Sequence, residues 1–175
     1  LPSENQYNYQ KEELAAFCHF GPNTFNEIEW GENYGDKTPN EIFKLTQDFD
    51  PDTLVKSIKD AGFHKLIVTA KQHDGFCIWA SDYTDYDVDA ATNYPVVNED
   101  GERDILAEIS EACTEYDIDM GLYLSPWDIH DDSYGYYDED GNPTTADKDV
   151  LDYNEYYNNQ LKEILGDDKY GNDGH

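Results

Sequence analysis

Apolar residues along this chain form two kinds of pattern, unbroken short runs and helical stripes, and the two take turns. The run 14–20, Leu-Ala-Ala-Phe-Cys-His-Phe, is closed by Gly21 and Pro22. Periodicity fits such a run to a buried strand or to a short helix, and we read it as the first strand. Asp50 and Pro51 then offer an N-cap and a favoured first helical residue, and Leu54, Val55, Ile58 and Ala61 recur at helical spacing before Gly62. Leu66-Ile67-Val68 follows almost at once with no polar alternation, as expected of a parallel strand covered on both faces. Ile105, Leu106, Ile109, Cys113 and Tyr116 make a second helical stripe, and the run 120–125, Met-Gly-Leu-Tyr-Leu-Ser, reads as the third strand. Tyr153, Tyr157, Leu161, Ile164 and Leu165 form a third helical face that stops at Gly166.

The predicted order is βαβαβα, which implies parallel strands with crossover helices in either a barrel or a doubly wound sheet. The connections leaving the strands cover roughly 21–50, 71–103 and 126–148, whereas those entering strands take only a few residues. Long connections of this kind are usually functional, and in barrels the site lies on the loops after the strands' carboxyl ends. His19, His73, Tyr123, Ser125 and Trp127 all fall at or just past strand ends. Three units do not close a barrel, which needs eight and about 250 residues. An unpaired edge and an uncovered core side are therefore expected to meet a covering remainder, beyond residue 175 or in another chain.

Charge narrows the possible partners. With 40 acidic against 11 basic residues the formal net charge is −29, so the surface repels phosphate backbones and anionic headgroups. Nucleic acid and membrane insertion are excluded as expectations on that ground. High net charge also accompanies disorder, but 14% aromatic content, with 15 Tyr and 3 Trp, argues for packing. Cys18, Cys77 and Cys113 are odd in number and far apart, and they read as buried thiols rather than a zinc site. Nothing resembles a targeting segment or a membrane span, and the chain starts at Leu1, which leaves the compartment open.

Taken singly, the candidate chemical groups are ambiguous. His73, in Thr69-Ala70-Lys71-Gln72-His73-Asp74-Gly75-Phe76, reads as a loop-bonded histidine or as a site residue, and His19 reads as a satisfied strand histidine or as a ligand-binding one. Trp30, Trp79, Tyr83, Tyr86 and Trp127 lie in the long connections, where they suit a sugar's C–H face or ordinary loop packing equally well. Asp138, Asp140, Gly141 and Asn142 read as a solvated turn, because the glycine comes too early for a calcium loop and no distal Glu follows. No phosphate-binding glycine loop, nucleophile elbow or zinc-protease motif occurs, so nucleotide cofactors and zinc hydrolysis lack support.

An ordered series of segments changes these odds. It comprises Phe17-Cys18-His19-Phe20-Gly21-Pro22-Asn23-Thr24-Phe25, Glu29-Trp30-Gly31, Ala70-Lys71-Gln72-His73-Asp74-Gly75-Phe76-Cys77-Ile78-Trp79, Ser81-Asp82-Tyr83-Thr84-Asp85-Tyr86, Arg103-Asp104-Ile105 and Gly121-Leu122-Tyr123-Leu124-Ser125-Pro126-Trp127-Asp128. Over residues 14 to 165 the series resembles the α-L-fucosidases of glycoside hydrolase family 29, and its detail is similar to the branch that prefers α-1,3/4-linked fucose. The resemblance implies an α/β fold, with residues 1–175 the amino-terminal part, about three βα units, of a (β/α)8-like TIM barrel. It implies a retaining mechanism with an Asp nucleophile and a Glu acid/base, with no metal or organic cofactor needed. It further implies that His19, Glu29 and His73 bond fucose hydroxyls, that Trp30 forms an apolar wall, that Tyr123 lies near the nucleophile and that Trp127 faces the leaving group.

Two departures stand out. Gln72 occupies the position where the family usually has a second histidine, and it can donate to a hydroxyl without ever becoming cationic. The family's nucleophile segment follows a fourth strand, and this chain reaches only Asp173-Gly174-His175, so no catalytic carboxylate is assigned among its forty acids. The leading expectation is an exo-acting fucosidase acting on fucosylated glycans, secreted or at the cell surface. The alternatives are a catalytically inactive fucose-binding homologue, motivated by Gln72, and an unrelated doubly wound protein.

Overall fold

The computed structural model describes residues 1–32, 34–47, 49–131, 134, 150–166 and 168–171. The acidic turn at 138–142 and the segment 173–175 lie outside the described residues. Three strands, β1 (Ala15–Cys18), β2 (Lys65–Lys71) and β3 (Asp119–Leu124), form a wholly parallel sheet in the order β1-β2-β3. The helices are α1 (Glu4–Glu12), α2 (Asn23–Asn26), α3 (Pro39–Ile42), α4 (Pro51–Asp60), α5 (Ile105–Tyr116) and α6 (Val150–Gly166), with a short 3-10 turn at Asp168–Tyr170.

The helix boundaries follow from side-chain chemistry. The Thr53 amide donates to Asp50 Oδ1 at 2.8 Å, and Pro51 opens α4 with the φ a helix requires. The Ala107 amide donates to Asp104 Oδ1 at 2.9 Å and starts α5, which ends where Asp117 turns left-handed. Helix α1 was not expected from the periodicity, because it has no buried face. It is nucleated by a capping box in which Ser3 and Gln6 satisfy each other's backbone amides.

Register sorts the strand residues into two faces. Ala16 pairs with Leu66 and Leu66 with Met120, and Cys18 with Val68 and Val68 with Leu122, and this face packs on the helices, with Leu66 and Val68 fully buried. The opposite face carries Phe17, Ile67 and Gly121, then Thr69 and Tyr123, and Phe17 there is 49% exposed. The expectation that β2 is covered on both faces is therefore corrected at Ile67, which is only half-buried, and β1, read as a buried strand, is open on the same side at Phe17, because the helices pack on the opposite face. Cys18 is likewise only half-buried, while Cys77 and Cys113 are buried free thiols.

The long connections are more ordered than their composition implies. The stretch after β2 sends Phe76, Ile78, Trp79, Val88 and Tyr94 into the core, so Trp79 and Tyr86 are packing residues rather than open sugar platforms. Trp79 keeps its Nε1–H satisfied by donating to Glu163 of α6 at 2.8 Å. Under the connection after β1, Phe20 stacks on Phe49 with ring centres 5.3 Å apart and Phe43 stacks on Phe76 at 5.2 Å, giving that loop a rigid apolar floor.

Candidate functional site

At the carboxyl end of the sheet a cavity of about 370 Å³ opens between the connections after β1 and β2. His19, Glu29, Trp30 and Gln72 line it, together with Thr69 and Asp74. The remaining three residues singled out in the sequence join the same patch through ring contacts. Tyr123 lies 6.4 Å from His19 between ring centres, Trp127 lies 5.9 Å from Trp30, and His73 lies 4.7 Å from Trp127. His19 is exposed and stacks on Phe17 at 4.5 Å, so it is not a buried core histidine.

The Glu29–Trp30 wall is fixed by residues that the sequence did not single out. Asn23 Nδ2 donates to the Glu29 carbonyl at 3.1 Å and to Asp74 Oδ2 at 2.9 Å, and the Tyr34 hydroxyl donates to Asn23 Oδ1 at 2.8 Å. Gly31 sits at φ +77 directly against Asp74, and a Cβ there would stand 2.4 Å from the Asp74 Cβ. Only glycine permits both the backbone conformation and the approach. Burial pushes the Asp74 carboxyl up to about 7, helped by the nearby Asp128 charge and opposed by donors from the Phe76 amide and Asn23. An acidic residue next to His73 was legible in the sequence. Its bridge to Asn23, 51 positions away, was not.

The connections after β2 and β3 are laced together. The Ser125 amide donates to the Lys71 carbonyl at 3.0 Å and the Ile129 amide to the His73 carbonyl at 2.9 Å. Lys71 is fully buried, donating to Asp128 Oδ2 at 3.0 Å and to Gln160 Oε1 of α6 at 2.9 Å. The rings of Tyr153, Tyr156 and Tyr157 surround its ammonium at 5.0–5.6 Å, which supplies cation–π stabilisation in a dry environment. His73 Nδ1 lies 2.6 Å from Ser125 Oγ, and partial burial lowers the imidazole's basicity.

One polar atom at this site lacks a partner among the described residues: Gln72 Oε1 is buried and accepts no hydrogen bond from them. Such an orphan costs roughly 1–3 kcal/mol and calls for a ligand donor. Among the described residues no group of three or more His, Cys, Asp or Glu is placed to hold a metal ion. No helix among them is long and apolar enough to cross a membrane.

A parallel α/β sheet with a polar and aromatic pocket at its strands' carboxyl ends defines a unit of an α/β protein. Comparison with known proteins gives the family: the model described as Alpha-L-fucosidase matches residues 3–174, and the chain belongs to that family. Alpha-L-fucosidase 1 of Arabidopsis thaliana is 42% identical over 171 residues, 98% of this chain and 29% of its own length. Plasma alpha-L-fucosidase of Homo sapiens is 24% identical over 170 residues, 93% of this chain and 33% of its length. A Ruminococcus gnavus GH29 fucosidase, solved in complex with fucose, superimposes with a TM-score of 0.86 at 72% identity, covering 99% of this chain and 34% of that one. The chain thus spans about a third of the length of these relatives.

Proposed function

We propose that this chain is the amino-terminal part of the (β/α)8-like barrel of a retaining, exo-acting α-L-fucosidase, and that it builds one side of the fucose pocket. The observation that carries the reading is the unsatisfied Gln72 Oε1 in a cavity it shares with His19, Glu29 and Trp30, within a family whose Ruminococcus gnavus member was solved with fucose. A fucose hydroxyl donates to that oxygen. His19, Glu29 and His73 bond further hydroxyls, and Trp30 lies against an apolar face of the sugar. Tyr123 borders the reacting carbon, and Trp127, which meets Trp30 edge-on and His73 at a tilt, faces the leaving group.

In a retaining mechanism a carboxylate attacks the anomeric carbon while a carboxylic acid protonates the leaving oxygen, and the second residue then activates water. Both carboxyl groups are assigned to the remainder of the barrel, in the same polypeptide or a companion chain, which also covers the open face carrying Phe17. This chain's residues orient the sugar and exclude water from one side. The motif series favours α-1,3/4-linked fucose on branched glycans, with no metal or organic cofactor in the reaction. A relative named for plasma and the strongly acidic surface support action outside the cell or at its surface.

Replacing His73 with Ala in the whole protein tests the assignment. Fucose release from α-1,3- and α-1,4-fucosylated trisaccharides is expected to fall by about a hundredfold or more as a positioned sugar contact is lost. Unchanged hydrolysis would remove His73 from the pocket.

A further inference from the structure

The proton on His73 is decided by its neighbour. Ser125 is fully buried at the end of β3, and its hydroxyl is committed on every side. Oγ donates to the Trp127 carbonyl at 2.7 Å, accepts from the Trp127 amide at 3.2 Å, and stands 2.6 Å from His73 Nδ1. A serine hydroxyl has a single hydrogen. With that hydrogen on the Trp127 carbonyl, the short contact to His73 is a hydrogen bond only if Nδ1 is the donor. Were the hydrogen turned toward Nδ1 instead, Oγ and the carbonyl oxygen would face each other at 2.7 Å with nothing between them, a repulsive contact.

A neutral imidazole carries one N–H, so a protonated Nδ1 leaves Nε2 with a free lone pair. Nε2 makes no hydrogen bond to any described residue. The free histidine side chain prefers its proton on Nε2, so the arrangement at Ser125 works against the intrinsic balance. Rotating the ring does not escape the constraint. It is packed against Trp127 at 4.7 Å, and a flip would set a carbon against Ser125 Oγ and forfeit the hydrogen bond. The backbone on both sides is fixed as well, through the Ser125 amide on Lys71 and the Ile129 amide on His73.

We propose that Ser125 is a positioning residue that holds His73 as the Nδ1–H tautomer, so that Nε2 faces the sugar pocket as a hydrogen-bond acceptor. A hydroxyl bound there has to donate, and it keeps its lone pairs for other donors in the pocket. The site therefore discriminates against a sugar whose hydroxyl at that position is absent or O-methylated, because the acceptor then loses its partner. That the sugar is fucose rests on the function proposed above; the tautomer does not.

The test is nitrogen NMR on the whole fucosidase polypeptide labelled with 15N-histidine, near about pH 8, where a histidine of ordinary or lowered pKa is neutral. The His73 signals are those missing from His73→Gln. The expected spectrum shows a protonated Nδ1 and a lone-pair Nε2, with the population passing to Nε2–H in Ser125→Ala and returning in Ser125→Thr. In parallel, kcat/KM for an aryl α-L-fucoside falls about tenfold in Ser125→Ala, mainly through KM, and recovers in Ser125→Thr. A wild-type protein with its proton on Nε2 overturns the proposal, as does an unchanged tautomer in Ser125→Ala. Fucose release measured on the wild-type protein reports separately on the proposed activity, so failure of one leaves the other distinguishable.

Discussion

Gln72 and Asp74 stand two positions apart and strain the site in opposite ways. Gln72 presents a buried oxygen with no donor, which costs roughly 1–3 kcal/mol in the empty protein. Gln72→Met removes the orphan at similar volume, so thermal melting is expected to rise while KM for fucosides also rises. A variant that melts lower, or binds fucoside as well as the parent, would show that the oxygen is not held open for substrate. Asp74 holds its carboxyl at about 7 against an ordinary value of 3.8. Between those two pH values the unfolded chain releases this proton while the folded one keeps it, so stability declines as pH rises through the interval and is flat above it. The shift sets an upper bound of about 4 kcal/mol on the effect. Denaturant melts of Asp74→Asn from pH 4 to 7 are expected to show a shallower pH slope than the parent; identical slopes would mean the carboxyl is solvated.

Among the elements, the connections after β2 and β3 act as a single body because Lys71 and Asp128 are buried together under α6. Removing one member of such a pair strands the other charge, so Lys71→Met is expected to cost about 3–5 kcal/mol by equilibrium denaturation. Lys71→Met combined with Asp128→Leu is expected to cost less than the single change, because no buried charge is then left uncompensated. Additive losses in that cycle would contradict the pairing. Helix α4 was legible because Asp50 is a local cap that acts within three residues, and α5 because its apolar stripe recurs at helical spacing, whereas the Asp104 cap came only with the structure. Helix α1 was not, because it is set by polar reciprocity between Ser3 and Gln6 and buries nothing that periodicity can register. Trp79 stayed open between sugar platform and loop packing for a related reason: a tryptophan in a long connection looks the same in sequence whether its Nε1–H meets solvent or Glu163.

At the scale of the whole molecule, a parallel sheet is covered on its helix side and open on the side of Phe17 and Tyr123. With the barrel complete, hydroxyl-radical footprinting of the whole protein is expected to show Phe17 protected, and residues 1–175 alone to show it labelled. Equal labelling would contradict a covering remainder. The sequence by itself determined the alternation of strands and helices, the capped start of α4 and the family, since each is written in short-range patterns or in the ordered motif series. It also singled out His19, Glu29, Trp30, Gln72, His73, Tyr123 and Trp127, which the structure gathers into one patch. Only the tertiary structure decided which of their partners matter. Asn23 reaches Asp74 across 51 positions, Lys71 reaches Gln160 across 89, and Ser125 meets His73 across 52. Hydrogen bonds tolerate only a few tenths of an ångström of error in the distance between groups that no local pattern relates, and folding alone sets those distances.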